Sequence, residues 1–288
     1  MKKGIALLIT IGFLTILTAL IGYMFSISQK SFDEVNKTET INQSSIIFAD
    51  VKAILDSYVK KVKDSEDLDI FLAGIPPFYD QKSKLTLHVG IESLSNKINI
   101  NSLLVKKKVN KHIENFIKNI CETYNILDPS FLVALILDTI DDDETSRQAL
   151  SEISIENIKF SNSRVVDMNH FEKIVDYYAQ TTQDTNIKRV PWGKLIYFGD
   201  KQKTNIDCDR LSKELVNVLR LQVEDFFGCD SLENEESKKI AIDYSLKPYS
   251  KNISYFVQVT ILYEIDSIED NISFDYDIKT NEVSNVTL

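Results

Sequence analysis

The chain has 288 residues, of which 43% are hydrophobic and 26% charged, so it can bury a sizeable core and is not disordered throughout. Its formal net charge of -10 and its pI of about 4.9 argue against electrostatic binding to nucleic acid or to an anionic membrane surface. Only three cysteines occur, without a CxxC pair, which argues against a zinc site and a dense disulfide framework.

The N-terminal segment contains an apolar run without a charged residue at positions 5–27. As a helix this run would extend roughly 35 Å, slightly more than the hydrocarbon core of a bilayer. Lys2 and Lys3 precede it, and the positive-inside rule places them in the cytoplasm and the rest of the chain on the outer side. No good small-x-small cleavage site follows, so we expect a retained, single-pass transmembrane helix.

A polar leader at positions 1–4 ends in Gly4, directly before the apolar run. This arrangement resembles the type III signal of pilins and pseudopilins, whose prepilin peptidase cuts after the glycine and leaves the helix in place. Gly4 and Ile5 are therefore the candidate processing residues. Most major pilins carry a glutamate at the fifth mature position, which is Ile9 here. An uncleaved signal anchor is the alternative interpretation of this segment.

Residues 28–64 continue the helical pattern beyond the membrane segment. Apolar side chains such as Val51 and Leu55 recur at spacings of three, four and seven, and the opposite face carries charged residues. We expect one long helix that ends near Lys63, within the sequence KDSEDLD, and whose second half packs on a globular head. This shape is typical of pilin-like subunits, although a sensor protein with a juxtamembrane helix would show the same pattern.

The first part of the head, residues 65–104, contains a turn and two strand patterns. The two prolines of AGIPPF predict a turn, because proline cannot continue regular hydrogen bonding. Residues 84–93 alternate between apolar and polar side chains, which predicts a half-buried strand. Residues 96–104, NKININSLL, predict a short strand that enters a helix capped by Asn101 or Ser102.

A mostly helical region follows the first strands. Residues 112–126, 129–140 and 168–180 show amphipathic or buried helical patterns, and Asp167 is a candidate cap for the last of them. Residues 229–239 are acidic and predict an exposed linker. Helices placed between early and late strands favour a helical subdomain inserted into an α+β domain.

The C-terminal part returns to a strand pattern at residues 254–265 and 272–278. The predicted fold class is α+β, with a long pilin-like transmembrane helix packed on an antiparallel-sheet head that carries an inserted helical subdomain. The predicted segments are the leader (1–4), the transmembrane helix (5–27) and the soluble half of that helix (28–64). The head then consists of a first part (65–104), the inserted helical subdomain (105–200) and a second part (201–288).

Three separated features resemble the type II secretion system protein K family. The fifth position after Gly4 is Ile9 and not an acid, and members of that family typically also lack an acid at this position. Residues 96–104 look like the family's recurrent short strand entering a helix, rich in asparagine. Residues 203–215, KTNIDCDRLSKEL, look like the second such element, which ends the inserted helical subdomain. The resemblance covers most of the chain, and it identifies the protein as similar to a minor pseudopilin.

The resemblance implies a noncatalytic role in a bacterial inner membrane, with a periplasmic C-terminal domain. The family's subunit caps the pseudopilus tip with two smaller minor pseudopilins and helps to initiate its assembly for protein export. Ile5 would become the mature N-terminus and would be methylated by the prepilin peptidase. The alternatives are a minor pilin of a type IV pilus and a signal-anchored extracytoplasmic binding or sensory protein.

The densest cluster of carboxylates suggests a calcium site. It spans residues 138–144 and includes Asp138, Asp141 and Asp143, and calcium prefers six to eight oxygen ligands. The ligand spacing and glycine of an EF-hand are absent, so a solvated acidic loop is the alternative. Related proteins hold calcium in this subdomain, so the resemblance adds weight to the calcium hypothesis, while a solvated acidic loop at a helix end remains the favoured interpretation.

No pattern predicts an enzyme, since GxSxG, P-loop, GxGxxG and HExxH motifs do not occur. Cys208 and Cys229 are the best candidates for a disulfide, but the odd number of cysteines is at least as compatible with a free thiol. Trp192 is expected in the core rather than in a partner site. The histidines show no paired spacing and are expected in surface or packing positions: His88, His112 and His170.

Overall fold

The computed structural model describes residues 23–24, 29–30, 41–82, 84–200, 205–221, 226–265 and 268–287. The chain forms two compact units, residues 1–55 with 288 and residues 56–287. The predicted leader and nearly all of the predicted membrane segment lie outside the described residues, and positions 23 and 24 are helical. Within the part of the chain that the structure describes, no helix is both long and apolar enough to cross a bilayer.

The helices and strands follow one another along the chain with these bounds. The helices are α1 (41–59), α2 (Ser65–Leu72), α3 (Lys111–Tyr124), α4 (Pro129–Ile140), α5 (Ile153–Glu156), α6 (Met168–Thr182), α7 (Trp192–Leu195), α8 (Lys213–Val218) and α9 (Glu235–Tyr244). The strands are β1 (Ile75–Asp80), β2 (Leu85–Ser93), β3 (Ile98–Asn99), β4 (Leu104–Val105), β5 (Lys108–Val109), β6 (Ile196–Tyr197), β7 (Ile206–Asp207), β8 (Leu246–Lys247), β9 (Phe256–Ile265), β10 (Ile268–Asp277) and β11 (Val283–Thr287).

The long helix ends slightly earlier than the prediction, and a separate helix follows it. Helix α1 ends in a turn in which the N–H of Val62 donates to the carbonyl of Val59 at 3.0 Å. Asp64 then begins α2, because its side chain accepts a hydrogen bond from the N–H of Asp67 at 3.0 Å. The end of the long helix near KDSEDLD is therefore confirmed to within a few residues, and the second helix that starts in this sequence was not predicted.

The head contains an antiparallel sheet of five strands in the order β1-β2-β9-β10-β11. The strands predicted from alternation are confirmed in β2, β9 and β10. Leu85 pairs with Ile265 and Ser93 with Val257, so β2 and β9 match over their full length. Every second residue of β9 from Val257 to Tyr263 is buried on the core face. The mixed helix and antiparallel-sheet class is thus confirmed.

The prediction of a turn at AGIPPF was wrong, because Pro76 and Pro77 lie within strand β1. Strand β1 is at the edge of the sheet and pairs with β2 alone, and its register shifts between Ile75 and Phe78. Proline has no N–H to donate, but an edge strand leaves one row of backbone groups unpaired and an irregularity accommodates the rest. The pair of prolines is therefore compatible both with a turn and with an edge strand.

The two asparagine- or aspartate-containing elements have the same local structure, as their resemblance to each other predicts. Each consists of a two-residue strand, β3 or β7, followed by a short 3-10 helix. The capping residues, Asn99 and Asp207, both have φ of -73° and ψ of 106°, and each side chain accepts from the N–H two residues later. The predicted caps, Asn101 and Ser102, were wrong, because Asn99 performs this role two residues before Asn101.

The helical subdomain is organised by α3, α4 and α6, whose apolar faces meet in one core. Asp167 caps α6 as predicted, since its carboxylate accepts from the N–H of His170 at 2.7 Å. Trp192 is buried in this core, where its Nε1 donates to the carbonyl of Ile187 at 3.1 Å. The ring of Trp192 stacks edge-on against Phe171. The prediction of a core tryptophan is therefore confirmed.

A disulfide joins Cys208 and Cys229, the pair that the sequence favours, and Cys121 is a buried free thiol. Burial raises the pKa of the Cys121 thiol to about 12, so it stays protonated and unreactive at neutral pH. The prediction of an exposed linker at residues 229–239 was wrong, because Asn234 caps helix α9 through a 2.7 Å bond from the N–H of Ser237. The prediction failed because charged residues on the solvent face of a short helix give the same composition as an exposed linker.

One side chain, Arg210, connects helix α2 with the helical subdomain and the sheet. Its guanidinium contacts Oδ1 of Asp69 at 2.6 Å and Oδ2 of Asp207 at 2.7 Å. The hydroxyl of Tyr255, next to β9, donates to Oδ2 of Asp207 at 3.1 Å. It also lies 2.8 Å from the hydroxyl of Ser93 on β2. Burial raises the pKa of Asp207, an effect that Arg210 offsets.

Asn101 is fully buried and holds two loops of the helical subdomain. Its Nδ2 donates to the carbonyls of Val165 at 2.8 Å and Gly199 at 2.9 Å, and its Oδ1 accepts from the N–H of Val165 at 2.9 Å. The two bonds to Val165 are buried and the bond to Gly199 is partly buried, so the amide pairs backbone groups that regular secondary structure does not pair.

We expect Asn101→Ala to destabilise the head by about 3 kcal/mol, because it leaves buried backbone donors and acceptors unpaired. Urea denaturation of the fragment from Gln29 onward, followed by circular dichroism, measures this change in the free energy of unfolding. The matched control is Asn217→Ala on the exposed face of α8, which should change stability by less than about 0.5 kcal/mol. Equal effects of the two substitutions would contradict the role given to Asn101.

Candidate functional site

The predicted processing residues, Gly4 and Ile5, lie outside the described residues, so cleavage after Gly4 stays a prediction. The predicted metal ligands lie in the acidic loop, which we define as residues 138–147, at the end of α4. This loop borders a cleft of about 430 Å³ that is also lined by Lys106 and Lys107. The acidic loop, with all three predicted ligands, lies within the described part of the chain.

An arginine lies between two of the three predicted ligands. Asp138 is fully buried and Asp141 is nearly so. The guanidinium Nη1 of Arg147 contacts both carboxylates, and the backbone N–H of Arg147 donates to Oδ2 of Asp138 at 3.1 Å. Burial raises the pKa of Asp141, and Arg147 partly offsets this effect. The acidic loop thus already holds a cation that belongs to the protein.

The third predicted ligand, Asp143, is exposed and separate from this pair. Its Oδ1 accepts from the backbone N–H of Thr145 at 2.9 Å, and this hydrogen bond lowers the pKa of Asp143. Among the described residues, the carboxylates of Asp138, Asp141 and Asp143 do not form a group close enough to hold one ion. The three predicted ligands are therefore not brought together, and calcium binding stays a prediction.

Two further oxygen-bearing side chains lie beside the acidic loop and were missed from the sequence. Asn162 donates to Oε1 of Glu152 at 2.7 Å, and the N–H of Ser163 donates to the carbonyl of Asp141 at 2.9 Å. One buried oxygen on each of three side chains has no hydrogen-bond partner in the described part of the chain: Asp141 Oδ1, Glu152 Oε2 and Asn162 Oδ1. Carboxylate and amide oxygens of this kind are the ligands that calcium prefers.

One group of three potential metal ligands does lie close together among the described residues, with ligand atoms within 4.8 Å of one another: Cys208, Asp209 and Cys229. The two cysteines form a disulfide, so they cannot serve as thiolate ligands. Asp209 instead accepts from the N–H of Cys229 at 3.0 Å. This group therefore fixes the end of a loop against the 3-10 helix that contains Cys208.

The histidines occupy the surface and packing positions that the sequence predicts. His88 and His112 are exposed, and His112 lies 3.9 Å from a carboxylate oxygen of Asp243. His170 is buried, and its Nδ1 accepts a hydrogen bond from the N–H of Val166 at 3.3 Å. Burial lowers the pKa of His170, which favours the neutral imidazole.

A second cleft, of about 410 Å³, lies between the sheet and the helical subdomain, and its lining includes Lys97, Asn169, Gln258, Asp275 and Asn285. The Nδ2 of Asn285 donates to Asp275 at 2.6 Å and to the carbonyl of Phe198 at 3.0 Å, while Arg164 donates to its Oδ1 at 2.7 Å. Burial raises the pKa of Asp275 to about 6 and lowers that of Lys97. The stability of this junction should consequently depend on pH.

Because the pKa of Asp275 is higher in the folded state than its ordinary value of 3.8, protonation favours folding. The stabilising effect is complete below about pH 4 and is lost as the pH rises through about 6. We expect Asp275→Asn to raise the free energy of unfolding by about 2 kcal/mol at pH 7.5 and to change it little at pH 4, because asparagine retains an acceptor for Asn285 and carries no charge.

Urea titrations of the fragment from Gln29 onward at both pH values measure this difference. Asp230→Asn, at an exposed carboxylate, is the matched control. A stabilisation of the Asp275 variant that is the same at pH 4 and pH 7.5 would show that the carboxylate does not titrate in this range.

No protein-family model matches the sequence, and no curated protein matches it significantly. Among solved structures, the chain is similar to a chain in the crystal structure of the GspK-GspI-GspJ complex from the type 2 secretion system of enterotoxigenic Escherichia coli. The TM-score is 0.56 at 11% sequence identity, and the match covers 88% of this chain and 97% of that chain. The chain therefore has the fold of a subunit of this complex, and the resemblance to the type II secretion K family is confirmed at the level of the fold.

Proposed function

We propose that the protein is a minor pseudopilin of a type II secretion system that caps the pseudopilus tip and helps to initiate its assembly for protein export. The observation that carries this proposal is the fold similarity, which covers nearly the whole length of both chains. The short leader before an uncharged run of 23 positions, 5–27, supports the same function because it resembles a prepilin signal. The first feature is the fold of the chain and the second is a pattern in its sequence.

The proposed mechanism depends on packing and not on catalysis. After cleavage, the helix that starts at Ile5 holds the subunit in the bacterial inner membrane and packs against the helices of other pseudopilins, with the head on the periplasmic side. Ile9 replaces the acid that most major pilins carry, so the apolar helix has no carboxylate that requires a charge partner from a subunit above it. A subunit without this requirement fits the top of a filament.

The partners in this proposal are other minor pseudopilins, the pseudopilus and the prepilin peptidase. The structurally similar chain was crystallised in a complex of three different proteins. The disulfide between Cys208 and Cys229 and the ion pairs of Arg210 connect separate parts of the head. Such connections would hold the surfaces that contact partner subunits in a constant arrangement. A type IV pilus minor pilin and a signal-anchored binding or sensory protein are the alternative functions.

Processing of the N-terminus tests the proposal directly. We expect the chain isolated from membranes to begin at a methylated Ile5 when prepilin peptidase is present and to retain residues 1–4 when it is absent. Intact-mass measurement and N-terminal sequencing distinguish the two forms. Gly4→Leu should block the cleavage, and Gly22→Leu, in the same apolar run, is the control that should leave it unchanged. A chain that keeps its leader in both strains would favour the signal-anchored binding protein.

Calcium binding near the acidic loop is a further part of the proposal, supported by the unpartnered oxygens of Asp141, Glu152 and Asn162. Arg147 competes with calcium for Asp141, so we expect Arg147→Gln to increase calcium affinity about tenfold by removing this charge. Calorimetric titration of the fragment from Gln29 onward at millimolar calcium measures both affinities. Arg189→Gln, at an exposed arginine, is the control. Absence of binding heat in every variant would end the calcium hypothesis.

A further inference from the structure

A basic hollow of about 180 Å³ lies where the end of α1, the segment before β9 and the turn after β10 meet. We name it the lysine hollow. Three lysines surround it, Lys60, Lys251 and Lys279, and all three are exposed. No acidic residue is part of its lining. The hollow therefore carries a local excess of positive charge in a chain whose net charge is -10.

The three amines have no partner within the described part of the protein. Neither a hydrogen bond nor an ion pair within 4.0 Å joins their side chains to any described residue. The acids that raise the pKa of the neighbouring Tyr249 are Asp67 and Asp64, and both already accept backbone hydrogen bonds at the start of α2. Asp64 and Asp67 keep their negative charge, but neither forms an ion pair within 4.0 Å with the three lysines, so the amines retain their hydrogen-bonding capacity for an external anion.

The floor of the hollow is apolar, which restricts the kind of anion that fits. Val59, Val62 and Ile278 are buried there, and Tyr249 adds a half-buried ring. A free phosphate or sulfate would use the amines but would leave the apolar floor exposed to water. The side chain of glutamate or aspartate has an aliphatic stem and a carboxylate, so it can contact both the floor and the amines.

We propose that the lysine hollow binds an acidic segment of a partner subunit, with a glutamate or aspartate side chain inserted between Lys60, Lys251 and Lys279. This inference rests on the proposed function, because the partner is another pseudopilin. Exposed ion pairs contribute modestly one by one, but three around a single carboxylate and a covered apolar floor give a specific contact. Electrostatic attraction of this kind also orients two heads before they pack.

Cross-linking in membranes that contain the full chain tests the proposal. The probe is a water-soluble carbodiimide, which joins an amine directly to a carboxylate with which it forms an ion pair. We expect mass spectrometry to find Lys60, Lys251 or Lys279 joined to an aspartate or glutamate of another protein with a pseudopilin N-terminus. We further expect this protein to co-purify with the wild-type chain, and the bound amount to fall when salt is raised from 0.15 M to 0.5 M.

Three triple variants at exposed lysines serve as matched comparisons. Lys60→Gln/Lys251→Gln/Lys279→Gln should reduce the co-purified partner about tenfold and abolish the cross-link. The corresponding arginine variant keeps the charge but offers no amine for coupling, so it should retain the partner and lose the cross-link. The control is Lys238→Gln/Lys239→Gln/Lys247→Gln, which removes the same charge from α9 and β8 and should leave both readouts unchanged.

The outcomes separate this inference from the proposed function. A wild-type chain that co-purifies with a pseudopilin, and a glutamine variant that retains it equally well, would overturn only the lysine hollow as the contact. Cross-links confined to the chain itself, or to a second copy of it, would overturn the inference in the same way. A cross-link to an acidic segment of a protein without a pseudopilin N-terminus would overturn the inference, while the proposed function would still be decided by the N-terminal processing of the chain.

Discussion

The guanidinium of Arg210 is the contact on which the arrangement of the head depends. It joins a carboxylate of α2 to Asp207, and Asp207 in turn meets the hydroxyl of Tyr255 beside the sheet. Burying Asp207 without a cation would cost several kcal/mol. The contacts of Arg210 with α2 and with Asp207, and of Asp207 with Tyr255 beside the sheet, therefore depend on one another.

Much of the fold follows from the sequence, because alternation and helical periodicity report burial directly. Strands β2, β9 and β10 and helices α3, α4 and α6 were predicted for this reason. The edge strand β1 was not, since Pro76 and Pro77 give the same signal for a turn and for an unpaired edge. The short strands β3 and β7 were also predicted, but the buried role of Asn101 was not, because it depends on distant backbone carbonyls, such as that of Gly199, which no local pattern reveals.

The candidate site was predictable in composition but not in arrangement. The sequence identifies an acidic loop because five carboxylates occur within a few residues. It does not show that Arg147 folds back between Asp138 and Asp141, although an arginine so close to an acidic run is a signal that could have been used. Glu152 and Asn162 are brought to the loop by tertiary structure alone, so periodicity and spacing could not identify them.

The pairing of β2 with β9 has a consequence for the order in which the head can form. Leu85 pairs with Ile265, so β2 is synthesised long before its neighbour and must wait for almost the whole chain. The helices between them share a core of their own and can close first, at a low cost in loop entropy. Until β9 arrives, the apolar face of β2 is exposed, and this interval is when the nascent chain is most prone to aggregation and most in need of a chaperone.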